Sequence, residues 1–127
     1  MKRILCLDFD GVIHSYTSGW KGARNIPDPP VPGALAFIAN MLVNDWDVAI
    51  HSSRSGQWGG RRAMRGWLRK HSGQMWYDSP AGNGLERVRF PLFKPAAFIT
   101  LDDRAWMFSG HWPSEMELRS FKPWNKK

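Results

Sequence analysis

At 127 residues the chain has the length of one domain, long enough to bury a core and short of a usual two-domain protein. Its single cysteine, Cys6, excludes an intramolecular disulfide and a thiolate metal site, and no stretch approaches the roughly 18–20 continuous apolar residues of a membrane span. Eighteen Lys and Arg against eleven acids leave a charge of +7, which with eight Trp suits a phosphate-rich partner such as nucleic acid and equally suits a basic surface over an aromatic core.

Met1-Lys2-Arg3 leads into an apolar run too short and too soon acidic for a signal peptide, so a cytoplasmic location with no membrane partner is expected. That run, over residues 3–7, predicts a buried strand with Cys6 as a small core residue. It stops at Asp8-Phe9-Asp10-Gly11. Side chains two apart on a strand share a side, so Asp8 and Asp10 are expected to converge roughly 6–7 Å apart. Carboxylates that close repel, and a divalent cation such as Mg²⁺, which prefers oxygen ligands, relieves the repulsion. Gly11 allows the sharp turn that follows. Taken alone, the pattern also describes a strand end followed by an acidic turn.

Residues 14–32, with Gly19, Gly22, Pro27, Pro29, Pro30 and Pro32, predict an irregular loop or flap with room for a short hairpin, not a domain. Leu35, Phe37, Ile38, Met41 and Leu42 then recur at helical spacing, predicting a helix over 33–44. Asp47 to His51 predicts a second buried strand, Ser52-Ser53-Arg54-Ser55-Gly56 a small-residue loop, and Gln57 to His71 a helix with Met64, Trp67, Leu68 and His71 inward. Arg61, Arg62, Arg65 and Arg69, with Trp58 nearby, suit either a polyanion or a solvated helix face. Ser72 to Asn83 is rich in turn formers, and a short strand is expected near Val88–Phe90. A third strand over 96–101 ends in Asp102-Asp103, and a short helix over 115–120 is expected with Ser114 as N-cap and Glu117 as its capping-box partner. The basic tail from Lys122 to Lys127 is expected to fray, and most aromatics to pack in the core, with Trp20, Trp58, Trp106 and Trp112 able to frame an entrance.

Strand, helix, strand, helix, strand is the order of a mainly parallel α/β sheet covered on both faces, a three-layer α/β/α sandwich. In such sheets ligands bind outside the carboxyl ends of the strands, where strand order reverses. Three strand ends deliver Asp8 and Asp10, Ser52 and Ser53, and Asp102 and Asp103 to that edge, the makings of a metal and phosphate site. The Ser52–Gly56 loop is expected to open a helix whose N-terminus adds partial positive charge. Lys94 stands ready just before the third strand, while Arg54 and Arg104 are placed either to touch phosphate or to pair with a motif aspartate. The four histidines show no ligand spacing, so zinc is not expected.

Asp8-Phe9-Asp10-Gly11-Val12, the serine that ends Val48-Ala49-Ile50-His51-Ser52, Lys94, and Ile99-Thr100-Leu101-Asp102-Asp103 resemble, in order, the four motifs of the haloacid dehalogenase superfamily of phosphatases. The resemblance spans residues 4–104 and implies a Rossmann-like sheet. It also implies Asp8 as a nucleophile forming an aspartyl-phosphate, and Asp10 as general acid and then base. By the same resemblance Ser52 and Lys94 hold and neutralise the phosphoryl group, with Ser53 and Arg54 beside them. Mg²⁺ would be held by Asp8, the Asp10 main-chain carbonyl and Asp102, with Asp103 either binding it through water or orienting its neighbours. A carboxylate at the Asp10 position favours a phosphatase over other members. Neither 14–32 nor 56–93 is long enough for a separate cap, so the expected substrate is a bulky phosphate ester, including a nucleotide or nucleic-acid end. The alternatives are a catalytically idle phosphate- or nucleic-acid-binding module and a phosphotransferase.

Overall fold

The computed structural model describes residues 2–77 and 84–126. Three strands, β1 (Ile4–Leu7), β2 (Asp47–Ile50) and β3 (Ile99–Leu101), form an all-parallel open sheet in the order β2-β1-β3. Leu5 lies level with Val48 and Ile99, and Leu7 with Ile50 and Leu101, so the three strands end in register. Parallel neighbours cannot be joined by a tight turn, and the crossovers here carry α1 (Ala34–Val43) between β1 and β2 and α2 (Gly60–Ser72) between β2 and β3. Because β2 and β3 flank β1 on opposite sides, chain order reverses at β1. A crevice therefore opens at the carboxyl ends of β1 and β3.

Each helix buries one stripe. Leu35, Ile38 and Leu42 of α1, at i, i+3 and i+7, and Met64, Trp67 and Leu68 of α2 close on Leu5, Leu7, Phe9, Ile13, Val48 and Ile50. Phe37 falls off the α1 stripe and is exposed, unlike its expected place. On the polar side of α2, Arg65 lies 4.8 Å over the Trp76 ring and donates to the Glu86 and Val88 carbonyls, while Arg69 donates to the Tyr77 hydroxyl at 2.7 Å. Arg61 donates to the Phe90 carbonyl at 3.4 Å, so three of the four arginines of the expected polyanion face are engaged with their own chain.

The helix α2 starts at Gly60 rather than at residue 57. Gly59, in the left-handed region at φ 75°, interrupts the helical run, so the serine loop is separated from the helix N-terminus by a turn. The 88–90 segment makes one bridge: Ile50 N–H donates to the Arg89 carbonyl at 2.8 Å and Arg89 N–H to the Val48 carbonyl at 3.0 Å. Pro91 has no N–H with which to continue it. The 14–32 loop is pinched at its base as a hairpin, Ser15 N–H donating to Pro29 and Val31 N–H to Ile13. A capping box of Ser114 and Glu117 starts α3 (Glu115–Arg119) as expected. Turns expected over 78–83 lie outside the described residues, as does Lys127.

Two expectations about the C-terminal part are corrected. From Pro91 to Lys126 only Pro123 is buried, and Trp20, Trp58, Trp106, Trp112 and Trp124 are all exposed, so most tryptophans are not core residues. Among the described residues the edge strand β3 has no neighbour on one side, and the short α3 buries no residue. The tail is anchored at Trp124, whose indole N–H donates to the Gly11 carbonyl at 2.9 Å. No described helix is long and apolar enough to cross a membrane.

Candidate active site

Register decides which carboxylates meet. Asp8 leaves β1 and Asp102-Asp103 leave β3, and Asp8 N–H donates to the Leu101 carbonyl at 3.0 Å, which clamps the two strand ends together. Carboxylate oxygens of Asp8, Asp102 and Asp103 lie within 4.8 Å of one another. Burial, opposed by a backbone hydrogen bond at Phe9, pushes the Asp8 carboxyl up to about 7, helped by the Asp102 charge and a hydrogen bond to Asp103. Asp103 Oδ1 is buried without a hydrogen-bond partner among the described residues. Three crowded carboxylates with one orphaned buried oxygen make a donor set that fits a hard divalent cation.

Asp10 belongs to a different cluster. Strand alternation does not extend past Leu7, where β1 ends, and the Asp10 carboxylate accepts from His14 Nδ1 at 2.8 Å and from Arg54 Nε at 2.9 and 3.2 Å. Its side chain is therefore not brought into the Asp8 trio as a ligand, in contrast to the expected convergence of Asp8 and Asp10 on one cation. Burial alone would raise the Asp10 pKa, but the His14 and Arg54 bonds outweigh it and hold the group below the ordinary carboxylate range.

Arg54 is fully buried. Besides Asp10 it donates through Nη1 to the carbonyls of Gly22, Ala23 and Asn25, at 2.8, 3.0 and 3.3 Å, and lies 4.7 Å from the centre of the Trp20 ring. Of its two expected alternatives, phosphate or aspartate, it takes the second. His14, also fully buried, accepts the Asp28 N–H at Nε2, so Nδ1 carries the hydrogen given to Asp10. Asp28 is in turn held by the Ser18 N–H and hydroxyl, whose bonds lower its pKa, and its carbonyl takes the Trp67 indole N–H.

A cleft of about 220 Å³ gathers Asp8, Asp10, Ser52, Ser53, Asp103 and Arg104, with Tyr16 and Trp20 contributed by the 14–32 loop. Ser52 Oγ accepts the Arg54 N–H at 3.1 Å, which leaves its hydroxyl proton available to an anion in the cleft. The Arg104 main chain donates to Asp102 Oδ1 at 2.8 Å, while Lys94 is exposed and does not line the cleft. Its charge acts on Cys6 of β1, two residues before Asp8. His14, Tyr16 and Asp28 were not anticipated as parts of the site. For His14 the signal was its i, i+4 spacing from Asp10, whereas nothing in the sequence marks Tyr16.

No family model matches the chain, and no curated protein or solved structure is significantly similar to it.

Proposed function

We propose that the chain is a Mg²⁺-dependent phosphomonoesterase of the haloacid dehalogenase type, built on a three-layer elaboration of its parallel sheet. The supporting observation is the Asp8, Asp102 and Asp103 trio beside Ser52 at the strand-order reversal. Asp8, Asp102 and Asp103, with the Asp10 main-chain carbonyl, would hold the cation, whose charge offsets the carboxylates and the phosphoryl oxygens and favours the ionised form of Asp8.

An ionised Asp8 oxygen attacks phosphorus, the bond to the leaving oxygen breaks, and an aspartyl-phosphate forms. The Ser52 hydroxyl donates to a non-bridging oxygen, and Arg104 and Lys94 supply positive charge. Water then attacks the phosphorus, Asp10 takes its proton, and the Asp8 carboxylate is released. The depressed pKa of Asp10 suits this base step better than donation to the first leaving group. Esters of weakly basic leaving groups, such as aryl phosphates, are thus the favoured probes.

Replacing Asp8 by Asn should end phosphate release from an aryl phosphate while circular dichroism stays native. Turnover retained by that variant would exclude the mechanism.

A further inference from the structure

Outside the cleft, three arginines, Arg24, Arg61 and Arg62, line the grooves beside one exposed side chain. Trp58 is 83% exposed and sits in the loop between β2 and α2. The Arg24 guanidinium lies 4.8 Å from the centre of its ring. Gly59 makes this possible, since a Cβ there would run into the aliphatic stem of Arg24. Arg24 is itself set from below, because the carbonyls of Gly22, Ala23 and Asn25 on either side of it all accept from buried Arg54. Two loops are thereby locked into a platform whose top is an indole face.

Two grooves adjoin the platform, of about 580 and 320 Å³, and Trp58 and Arg62 line both. Arg61 lines the first and Arg24 the second, and neither groove contains an acidic residue. Arg62 has no hydrogen bond or ion pair to a described residue, whereas Arg65 and Arg69, further along α2, are tied to Trp76 and Tyr77. The same loop carries Ser52 and Ser53 into the catalytic cleft, so at most about 19 Å of chain separates Ser53 from Trp58.

We propose that the Trp58, Arg24 and Arg62 surface binds single-stranded nucleic acid, stacking a base on Trp58 and pairing flanking phosphates with the arginines, so that the strand's phosphorylated end reaches the cleft. The delivery of the end rests on the phosphatase reading; the binding surface does not. Flat bases and regularly spaced phosphates use both halves of the platform. A duplex hides its base faces, and a phosphopeptide engages the arginines while leaving the indole without a ring to stack.

The test is equilibrium binding of a fluorescent single-stranded oligothymidylate of roughly ten nucleotides to the full chain in EDTA, where no turnover is needed. Affinity should fall with salt with a log–log slope of about −1.5 to −2, as for two or three phosphate contacts. Trp58→Ala should weaken binding by about 5- to 150-fold and Trp58→Phe should recover most of it, while Arg62→Gln should flatten the salt slope by about 0.7. Both sites of change are exposed, and unchanged thermal melting will verify the fold of each variant. Equal affinity of wild type and Trp58→Ala, equal affinity of wild type for an abasic oligomer of the same charge, or tighter binding of an equally charged phosphopeptide would each overturn the proposal. Phosphate release by wild type but not by Asp8→Asn is scored separately, so either reading can fail alone.

Discussion

The Asp103 carboxylate packs against Gly11 in the space that any other residue would need for its Cβ. Gly11 also has φ +84°, a conformation that costs an L-residue roughly 1–2 kcal/mol. Gly11→Ala must therefore bear the backbone strain and also expel Asp103 from beside Asp8. The expected outcome is a loss of roughly 1–2 kcal/mol in urea denaturation without metal, together with loss of the stabilisation that Mg²⁺ confers on the wild type. Undiminished stabilisation of the variant by Mg²⁺ would show that Asp103 is not a ligand.

The crowding around Asp8 makes a prediction of sign. Its pKa stands at about 7 in the folded state against an ordinary 3.8, so between those values the folded protein holds a proton that the unfolded chain has released. In EDTA, stability should decline as pH rises through that window and level off above it. Asp8→Asn cannot titrate, so its stability should lack this decline and exceed that of wild type at pH 8, with the difference vanishing below 3.8. Mg²⁺ should reverse the order at pH 8 by stabilising only the wild type. Urea midpoints across the range, with and without Mg²⁺, will read both effects.

The meeting of Asp8 with Asp102-Asp103 was legible because apolar runs ending in acids mark strand ends, and parallel topology puts such ends on one edge. That the Asp10 side chain stands apart from the Asp8 trio, bound to His14 and Arg54, was not. Strand periodicity places them together only as long as the strand lasts, and β1 stops at Leu7. The partner that then claims Asp10 lies 44 residues away, and nothing local to Arg54 announces that it will be wholly buried. Tryptophan went astray for a related reason: a preference for burial presumes a core to enter, and the chain beyond Pro91 contributes only an edge strand and a short helix that buries no residue. Gly59-Gly60 at the start of α2 could have been read as a delayed helix start, but the close pass of Arg24 over Gly59 is visible only in three dimensions.

Arg54 joins Asp10 to the loop that carries Arg24. Arg54→Gln would leave a mostly buried Asp10 carboxylate without its cation and the Gly22, Ala23 and Asn25 carbonyls without their donor. Loss of one member of such a pair typically costs about 3–5 kcal/mol. Arg54→Lys keeps the charge but not the fork, and should fall between the variant and wild type. Because the depressed pKa of Asp10 contributes stability that disappears only as pH falls through it, both variants should also denature at higher pH than wild type on acid titration. Unchanged acid denaturation would mean that Arg54 does not control Asp10.

Under the proposed phosphatase mechanism, two cations compete for the role of offsetting phosphoryl charge. Arg104 lines the cleft, whereas Lys94 is exposed and reaches the strand ends only through its field at Cys6. An ammonium on a flexible four-carbon stem can swing to a charge that develops in the transition state, while in the proposed mechanism the exposed Arg104 guanidinium would meet the bound phosphate at the rim. Lys94→Ala should accordingly lower kcat by about 10²–10³ with little change in KM, the signature of an interaction strongest in the transition state. Arg104→Ala should instead raise KM and spare kcat, since it would act equally on ground and transition states. The two split cleanly in steady-state kinetics with an aryl phosphate, and a kcat loss larger in Arg104→Ala than in Lys94→Ala would move the transition-state role to Arg104.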